Sequence, residues 1–220
     1  MARTIAIGDI HGCADALRTI LTHLNPRPDD TIITLGDYVD RGPASREVVE
    51  MLLELRSACR LIPLIGNHEA MLLRARDDAE QMDFWMYCGG RQTLESYGGM
   101  GGVPDSHWEF FESCRRYYED DERFYVHANY DPMTPLEHTP DNVLLWTHLT
   151  TYVPRPHRNG KQAIVGHTAQ VSGQLADWGH VLCLDTWCFG SGCLTACEFP
   201  QRRLCQSNRS GQLICADLKD

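Results

Sequence analysis

The first third of the chain repeats one pattern of hydrophobic and polar positions three times. Short apolar runs at Thr4–Ile7, Thr31–Leu35 and Leu61–Ile65 predict buried strands, because they are brief and rich in β-branched residues. A polar, glycine-bearing loop and a helical pattern follow each run; the second helix is predicted from about Pro43 to Ser57, and the third ends near Arg76. Strands joined by helices in this way run parallel, so we expect the three loops at one edge of one sheet.

The remainder of the chain is less regular. Aromatic and glycine-rich segments between about residues 77 and 120 predict short helices and a loop, which we interpret as a helical cap region, with one helical piece from Trp108 to Tyr118. Further strands are predicted at Arg123–Val126 and Ala163–Val165. Three more short segments with glycine-rich turns predict an antiparallel meander: Val181–Asp185, Leu194–Phe199 and Arg202–Gln206.

Length and composition restrict the class of protein. The 220 residues can bury a proper core, so we interpret residues 1–220 as a single domain. The formal net charge of −10 argues against nucleic-acid and anionic membrane partners. Without an apolar run of membrane-spanning length or a secretion signal, a cytoplasmic location is predicted. The ten cysteines are therefore interpreted mostly as small buried hydrophobic residues.

Side chains of metal-binding type follow most of the predicted strands. Six of them, each in or beside a glycine-bearing loop, form one set of candidate ligands: Asp9, His11, Asp37, Asn67, His127 and His167. One such residue alone is more often a helix cap or a satisfied structural group, but six in succession favour metal binding. Mixed oxygen and imidazole donors suit Mn, Fe or Zn. The set predicts two divalent ions bridged by Asp37, an arrangement suited to phosphoryl transfer.

Polar residues next to these candidates predict acid catalysis and phosphate binding. His68 beside a carboxylate such as Asp40 is interpreted as a protonated general acid for the leaving alkoxide. Arg41 offers a bidentate fork to phosphate oxygens, and the alternative for it is a structural salt bridge to Asp37 or Asp40. Glu69 is interpreted as a residue of the first helical turn or as an anchor for the ligands.

Five motifs resemble those of the phosphoprotein phosphatase family, which has the calcineurin-like metallophosphoesterase fold. Its three signatures match the segments Gly8–Gly12, Gly36–Gly42 and Gly66–Glu69. Its two histidine motifs match Val126–Asn129 and Gly166–Thr168. The similarity covers the whole chain, and the spacing is closest to that of the compact bacterial and phage serine/threonine phosphatases.

The resemblance implies an α/β fold in which helices flank a central β-sandwich in four layers, α/β/β/α. It also implies a dinuclear metal centre, usually filled by manganese in such enzymes. Two ligand groups follow from the family pattern: Asp9, His11 and Asp37 for one ion, and Asp37, Asn67, His127 and His167 for the other. His68 and Asp40 resemble the acid pair of the family, and Arg41 resembles its phosphate-binding arginine.

One departure from the family pattern concerns phosphate binding. Small relatives carry a further arginine just after a tryptophan, whereas Trp146 is followed here by Thr147 and His148. Three alternatives remain for this phosphate contact. Either Arg155 or Arg158 supplies the positively charged side chain, or His148 does so weakly, or the phosphate is held less tightly. One lost charge-assisted contact would cost about 1.5–3 kcal/mol if nothing replaced it.

Three functions are consistent with these motifs. The first is a metal-dependent phosphomonoesterase, a serine/threonine protein phosphatase with dual specificity in reach, in which a metal-bound hydroxide attacks a phosphorylated protein or small phosphoester directly. The alternative is a symmetrical diadenosine tetraphosphate hydrolase, which shares the same signatures. A catalytically silent metal-binding protein is disfavoured because His68, Asp40 and Arg41 are all present. The sequence does not indicate an oligomeric state.

Overall fold

The repeated strand-loop-helix pattern is confirmed by the computed structural model, which describes residues 2–199 and 201–217. Strands and helices alternate: β1 (Thr4–Ile7), α1 (Ala14–Leu24), β2 (Thr31–Thr34), α2 (Ser45–Ala58), β3 (Arg60–Pro63) and α3 (Asn67–Ala75). The strands β1, β2 and β3 pair in parallel, so their carboxyl ends share one edge as predicted. Helix α2 begins at Ser45 rather than Pro43, because Ala44 is non-helical and its N–H donates to the Gly12 carbonyl.

The remaining elements complete two sheets. The middle segment contains α4 (Ala79–Trp85), a π-helical turn (Met86–Gly90), α5 (Arg91–Tyr97), a 3₁₀ turn (Met100–Gly102) and α6 (Asp105–Glu112). After it come β4 (Tyr117–Glu119), β5 (Arg123–Val126), a 3₁₀ turn (Leu136–His138), α7 (Asp141–Leu144), β6 (Gln162–Val165), β7 (Ala176–Asp177), β8 (Val181–Cys183), β9 (Cys193–Phe199), β10 (Arg203–Asn208) and β11 (Leu213–Asp217). One sheet has the order β11-β10-β9-β1-β2-β3, and the other β4-β5-β6-β8-β7.

Two predictions about these later elements are wrong. The helix predicted through Tyr118 ends at Glu112, because Arg115 exchanges backbone hydrogen bonds with the chain around the end of β3 and the residues after it form β4. Strand β8 does not belong to the meander of β9, β10 and β11: it pairs in parallel with β6 in the other sheet. Its three residues are all buried, which suits an inner strand with both faces covered.

Alternation along the strands builds a layered core. Ile5 and Ile7 in β1 pack toward α1 and α2, whereas Ala6 faces the second sheet. The core between the sheets includes Ile33 from β2 and Ile164 from β6. Around α7, buried side chains from the helix and neighbouring loops cover the outer face of the second sheet. The predicted α/β class, with a central β-sandwich flanked by helices in four layers, is confirmed.

The middle segment, residues 77–120, packs on the helical side of the first sheet. Its helices α5 and α6 contact α2, and α4 contacts α3. This packing brings the segment against the loop that follows β2, where Trp85 is fully buried. None of the helices in the described part of the chain has the length and hydropathy required to cross a bilayer.

Candidate metal centre and acid pair

Six side chains singled out as metal donors meet beyond the carboxyl ends of the strands. They come from both sheets: Asp9, His11, Asp37, Asn67, His127 and His167. The two carboxylate oxygens of Asp37 face histidines of different sheets, with 3.4 Å from Oδ2 to His11 Nε2 and 3.5 Å from Oδ1 to His127 Nε2. Asp37 therefore lies at the centre of the set.

Two overlapping groups of metal-binding atoms share Asp37. In one, Asp37 stands with His11 and His68, and in the other with His127 and His167; within each group the atoms lie no more than 4.8 Å apart. Asn67 adds an oxygen to the second group, since its Oδ1 lies 3.0 Å from His127 Nε2 and 3.1 Å from His167 Nδ1. The shared carboxylate is the geometry that two neighbouring cations require of a common ligand.

The hydrogen bonds of two imidazoles at Nδ1 leave Nε2 unprotonated, and in His11 that nitrogen accepts from Arg41 Nη1 at 2.9 Å. His11 Nδ1 lies 2.9 Å from the Val39 carbonyl, and His127 Nδ1 lies 2.7 Å from the Leu35 carbonyl. A carbonyl only accepts, so the proton is assigned to each Nδ1, and each Nε2 faces the centre unprotonated. Burial lowers the pKa of both rings, and burial together with His127 lowers the pKa of His167 to about 3. Neutral imidazoles are the form that binds metals.

Carboxylates are concentrated beside these imidazoles. Asp9, Asp37 and Asp185 are all buried, and within residues 2–199 and 201–217 Asp9 Oδ1 has no hydrogen-bond partner. Burial, Asp185 and Asp37 raise the pKa of Asp9 well above its usual value. Burial and the Asp37 charge also raise the pKa of Asp185 to about 6. Negative charge crowded among neutral nitrogen donors fits divalent cations, which would offset the repulsion.

The loops that carry these residues have unusual backbone conformations. Positive φ angles, between 46° and 72°, occur at His11, Asp37, Asp40, Arg41 and His167. Such angles are strained for residues with side chains, and they tend to occur at functional sites. Glu69 helps to fix the loop after β2: its buried carboxylate accepts backbone N–H groups at 2.8 Å from Asp37, 2.7 Å from Tyr38 and 2.9 Å from Gly66. These contacts match the anchoring role predicted for Glu69.

The predicted acid pair forms a direct contact. His68 Nδ1 lies 2.6 Å from Asp40 Oδ2, and both side chains are buried. His68 Nε2 points the other way, 4.0 Å from Asp37 Oδ2. Burial opposes protonation of His68, but Asp37 and Asp40 outweigh it and raise the pKa of the ring. A protonated imidazole cannot coordinate a metal, so His68 is suited to donating a proton and the neutral histidines to ligation.

A cavity of about 500 Å³ opens onto the centre. Its lining includes Arg41, whose guanidinium carbon lies 4.6 Å from the centroid of the Phe189 ring and whose Nη1 lies 2.9 Å from His11 Nε2. Asp37 and Asp40 both lie beyond ion-pair distance of Arg41, so the structural salt bridge considered for Arg41 is not present. The guanidinium is instead stacked on an aromatic face at the cavity wall.

The three candidates for a second phosphate contact lie in different places. His148 lines the cavity and stacks on His167, with ring centroids 4.1 Å apart. Neither Arg155 nor Arg158 is among the lining residues. Arg158 Nη1 donates to the Met133 carbonyl at 3.4 Å on the exposed surface. The phosphate contact predicted for Arg155 or Arg158 thus has no counterpart in the cavity lining.

Four residues at or behind this site were not predicted from the sequence: Trp85, Thr93, Asp185 and Phe189. Asp185 follows β8 just as Asp37 follows β2, so the strand-end rule could have found it. It was instead counted as the last residue of a meander strand. Trp85 and Thr93 contact Asp40 across long sequence separations, which no local pattern indicates.

One protein-family model and several curated proteins are similar in sequence to this chain. A sequence model described as calcineurin-like phosphoesterase matches residues 2–190. Over 85 residues the chain is 41% identical to serine/threonine-protein phosphatase 2 of Salmonella typhimurium, a stretch covering 38% of this chain and 37% of that protein. Over 71 residues it is 46% identical to the symmetrical bis(5'-nucleosyl)-tetraphosphatase of Baumannia cicadellinicola, covering 32% and 24%. The aligned stretches thus span well under half of these curated relatives.

Solved structures share the fold at low identity. A structure described as a candidate diadenosine tetraphosphatase has a TM-score of 0.69 and 22% identity, with 98% of this chain and 93% of that chain covered. The cold-active protein-tyrosine phosphatase of a psychrophilic Shewanella has a TM-score of 0.69 and 17% identity, with 97% and 80% covered. Because the family model spans most of the chain, this protein belongs to the calcineurin-like phosphoesterase family.

Proposed function

We propose that this chain is a metal-dependent phosphomonoesterase that acts on phosphoserine and phosphothreonine in proteins, with phosphotyrosine within reach of the same chemistry. The observation that carries the proposal is the position of Asp37, whose two oxygens face histidines from the two sheets beneath a cavity flanked by Arg41. Phosphoryl transfer requires positioning and charge neutralisation above all, and this arrangement offers both.

The donor set fits two divalent cations, for which manganese is our first choice and iron or zinc the alternatives. Two groups of residues would hold them: Asp9, His11 and Asp37 for one, and Asp37, Asn67, His127 and His167 for the other. When bound, such cations lower the pKa of a water molecule and neutralise phosphate charge. Among the described residues, the buried Oδ1 of Asp9 and Nε2 of His167 have no hydrogen-bond partner, which supports this assignment.

The chain's own groups would handle the leaving oxygen and the phosphate. His68 would donate the Nε2 proton to the departing alkoxide, while Asp40 holds the ring at Nδ1 and favours its protonated form. Arg41 would place its fork on phosphate oxygens, with Phe189 orienting the guanidinium. His148 stacks on His167 in the cavity lining, and from there it would add a weaker polar contact to the phosphate.

A second candidate function is symmetrical hydrolysis of diadenosine tetraphosphate. It is favoured by the 46% identity to the tetraphosphatase of Baumannia cicadellinicola over 71 residues. The same site chemistry serves both substrates, so they differ in what the cavity walls accept. The lining combines Trp146 and Phe189 with polar groups such as Thr150.

The test compares turnover of a phosphothreonine peptide, p-nitrophenyl phosphate and diadenosine tetraphosphate by manganese-loaded protein. The proposal expects the largest kcat/KM for the phosphopeptide, and Arg41→Lys should raise KM by about tenfold because it loses bidentate geometry. Larger kcat/KM for the dinucleotide would establish the second function. Absence of turnover with all three substrates at full metal occupancy would contradict both.

A further inference from the structure

The carboxylate of Asp40 is held by two side chains of the middle segment. Trp85 Nε1 donates to Asp40 Oδ2 at 2.8 Å, the same oxygen that contacts His68. Thr93 Oγ1 donates to the other oxygen, Oδ1, at 2.6 Å. Trp85, Thr93 and Asp40 all have no exposed surface. Both oxygens of Asp40 are therefore engaged by donors from outside its own loop, in an environment where hydrogen bonds to a charged group are strong.

Thr93 also fixes the backbone of the same residue. The N–H of Asp40 donates to Thr93 Oγ1 at 2.8 Å, and Ser45 Oγ lies 3.1 Å from that hydroxyl. Thr93 thus contacts Asp40 at both its main chain and its side chain. Because φ of Asp40 is 72°, a strained angle for this residue, such contacts help to maintain a conformation that the loop would otherwise relax.

The middle segment is shaped to bring Trp85 and Thr93 to one carboxylate. In an unbroken α-helix, residues eight apart are separated by about 12 Å along the axis, too far for both to meet one carboxylate. The π-helical turn Met86–Gly90 and the φ of +117° at Gly89 interrupt the helix between them. A Cβ at Gly90 would lie 2.5 Å from the Trp85 indole, so glycine permits the close packing of the turn on the ring.

We propose that Trp85 and Thr93 are positioning residues for proton donation: they lock Asp40 in the orientation that holds His68 with its Nε2 directed at the leaving oxygen. This inference depends on the proposed role of His68 as general acid. Neither residue lines the cavity, so each acts through Asp40 rather than on the substrate. A water oxygen bonds to phosphorus as the bond from phosphorus to the leaving oxygen breaks, and His68 Nε2 gives its proton to that leaving oxygen, so that the alcohol and inorganic phosphate are released. Trp85 and Thr93 retain their own protons throughout and continue to donate hydrogen bonds to Asp40.

The experiment measures how activity depends on the leaving group. Manganese-loaded wild type, Trp85→Phe and Thr93→Val are assayed on 2,4-dinitrophenyl phosphate, phenyl phosphate and a phosphoserine peptide. Proton donation matters most when the leaving group is an alkoxide and least when it is dinitrophenolate. In Trp85→Phe and Thr93→Val we therefore expect the loss of kcat/KM relative to wild type to be at least about tenfold larger for the peptide than for the dinitrophenyl ester. Thr93→Ser, which keeps the hydroxyl, should restore the wild-type dependence.

Tyr97→Phe is the matched control. It removes a buried hydroxyl of the same segment that lies 2.8 Å from His107 Nδ1, and Tyr97 is not among the hydrogen-bond partners of Asp40. A merely structural role of the segment would lower turnover of all substrates by a similar factor in Trp85→Phe, Thr93→Val and Tyr97→Phe. If Trp85→Phe does not fold, the Thr93→Val and Thr93→Ser pair decides the outcome.

His68→Asn separates failure of this inference from failure of the proposed function. His68→Asn is expected to lower kcat/KM more for the peptide than for the dinitrophenyl ester. If it does, but Trp85→Phe and Thr93→Val lower kcat/KM equally for all substrates, or for none of them, the positioning role is overturned. If His68→Asn itself lowers all substrates equally, the general-acid part of the proposed function fails, and the positioning role fails with it.

Discussion

Asp37 and Asp40 lie three residues apart in one loop, and both are buried, yet their surroundings differ. Asp37 faces imidazole nitrogens such as His11 Nε2 and His127 Nε2, whose protons are assigned to the far side of each ring. Asp40 faces donors: the indole N–H of Trp85 and the hydroxyl of Thr93. Asp37 accepts one backbone N–H, from His68 at 3.1 Å, and its side-chain neighbours at 3.4 and 3.5 Å are nitrogen lone pairs. Both oxygens of Asp40, in contrast, accept hydrogen bonds from side-chain donors.

This difference indicates the task of each carboxylate. A buried carboxylate among lone pairs is stable only with positive charge beside it, so the surroundings of Asp37 call for cations. The pKa of Asp37 lies below its usual value despite burial, so this carboxylate is ionised. A carboxylate whose oxygens already accept hydrogen bonds needs no metal, and Asp40 is suited to holding the proton-bearing ring of His68.

The largest effect is expected from removing charge at Asp37. Asp37→Asn should weaken manganese binding and lower kcat/KM by more than about 100-fold, because even residues that only support a ligand contribute 10–100-fold. Calorimetric titration of the metal-free protein with manganese measures the first quantity and p-nitrophenyl phosphate turnover the second. Binding of two ions with unchanged affinity in Asp37→Asn would remove the distinction between the two aspartates.

Asp40→Asn is the matched substitution in the other environment. It should leave the number of bound manganese ions unchanged while lowering turnover of a phosphopeptide by about 100-fold, within the range of general acid–base catalysis. The reason is that an amide at residue 40 no longer raises the pKa of His68. Loss of one bound ion in this variant would show that Asp40, and not only Asp37, supports the metals.

A smaller effect is expected at Glu69, which fixes the loop between the two aspartates. Glu69→Gln replaces one acceptor oxygen with an amide group that confronts the backbone N–H groups of Asp37 and Gly66 or of Tyr38. We expect about tenfold weaker manganese binding, at the low end for residues that orient ligands. The isothermal titration described for Asp37→Asn measures this directly, and an unchanged affinity would exclude the anchoring role.

The smallest expected effect concerns the stability of the segment behind Asp40. Burial lowers the pKa of His107 below its usual 6.5, so the unfolded chain takes up the proton first as pH falls. The stabilisation by His107 is therefore complete above pH 6.5 and is lost progressively below it. His107→Gln should be less stable than wild type by about 1 kcal/mol at pH 7.5, through its contact with Tyr97.

Urea unfolding of wild type and His107→Gln at pH 7.5 and 5.5 measures this. The difference in the free energy of unfolding between wild type and His107→Gln should be smaller at pH 5.5 than at pH 7.5. The decrease is at most about 1.4 kcal/mol per pH unit. A difference that is constant or larger at the lower pH would show that His107 is protonated in the folded protein.

Local patterns predicted the elements whose structure is decided locally. The strands β1 and β5 and the donors that follow them were read from short apolar runs ending in polar loops, because strand ends and loop chemistry are adjacent in sequence. Convergence of the donors followed from parallel pairing, which fixes where strand ends meet.

The features that were not predicted, or were predicted wrongly, depend on contacts between residues far apart in the sequence. Trp85 and Thr93 both contact Asp40, across 45 and 53 positions, and the helix between them is interrupted at Gly89, a turn that has no periodic signal. The strand at Val181–Cys183 was misassigned because a short apolar run carries no information about which sheet it joins. Tyr118 was predicted helical although pairing with β5 places it in a strand.

The most direct test of the account is an anomalous difference map from manganese-soaked crystals of the whole chain. The account predicts two peaks, one on each side of the Asp37 carboxylate, with His11 nearer to one and His127 and His167 nearer to the other, and none at Asp40. A single peak, or a peak between Asp40 and His68, would contradict it.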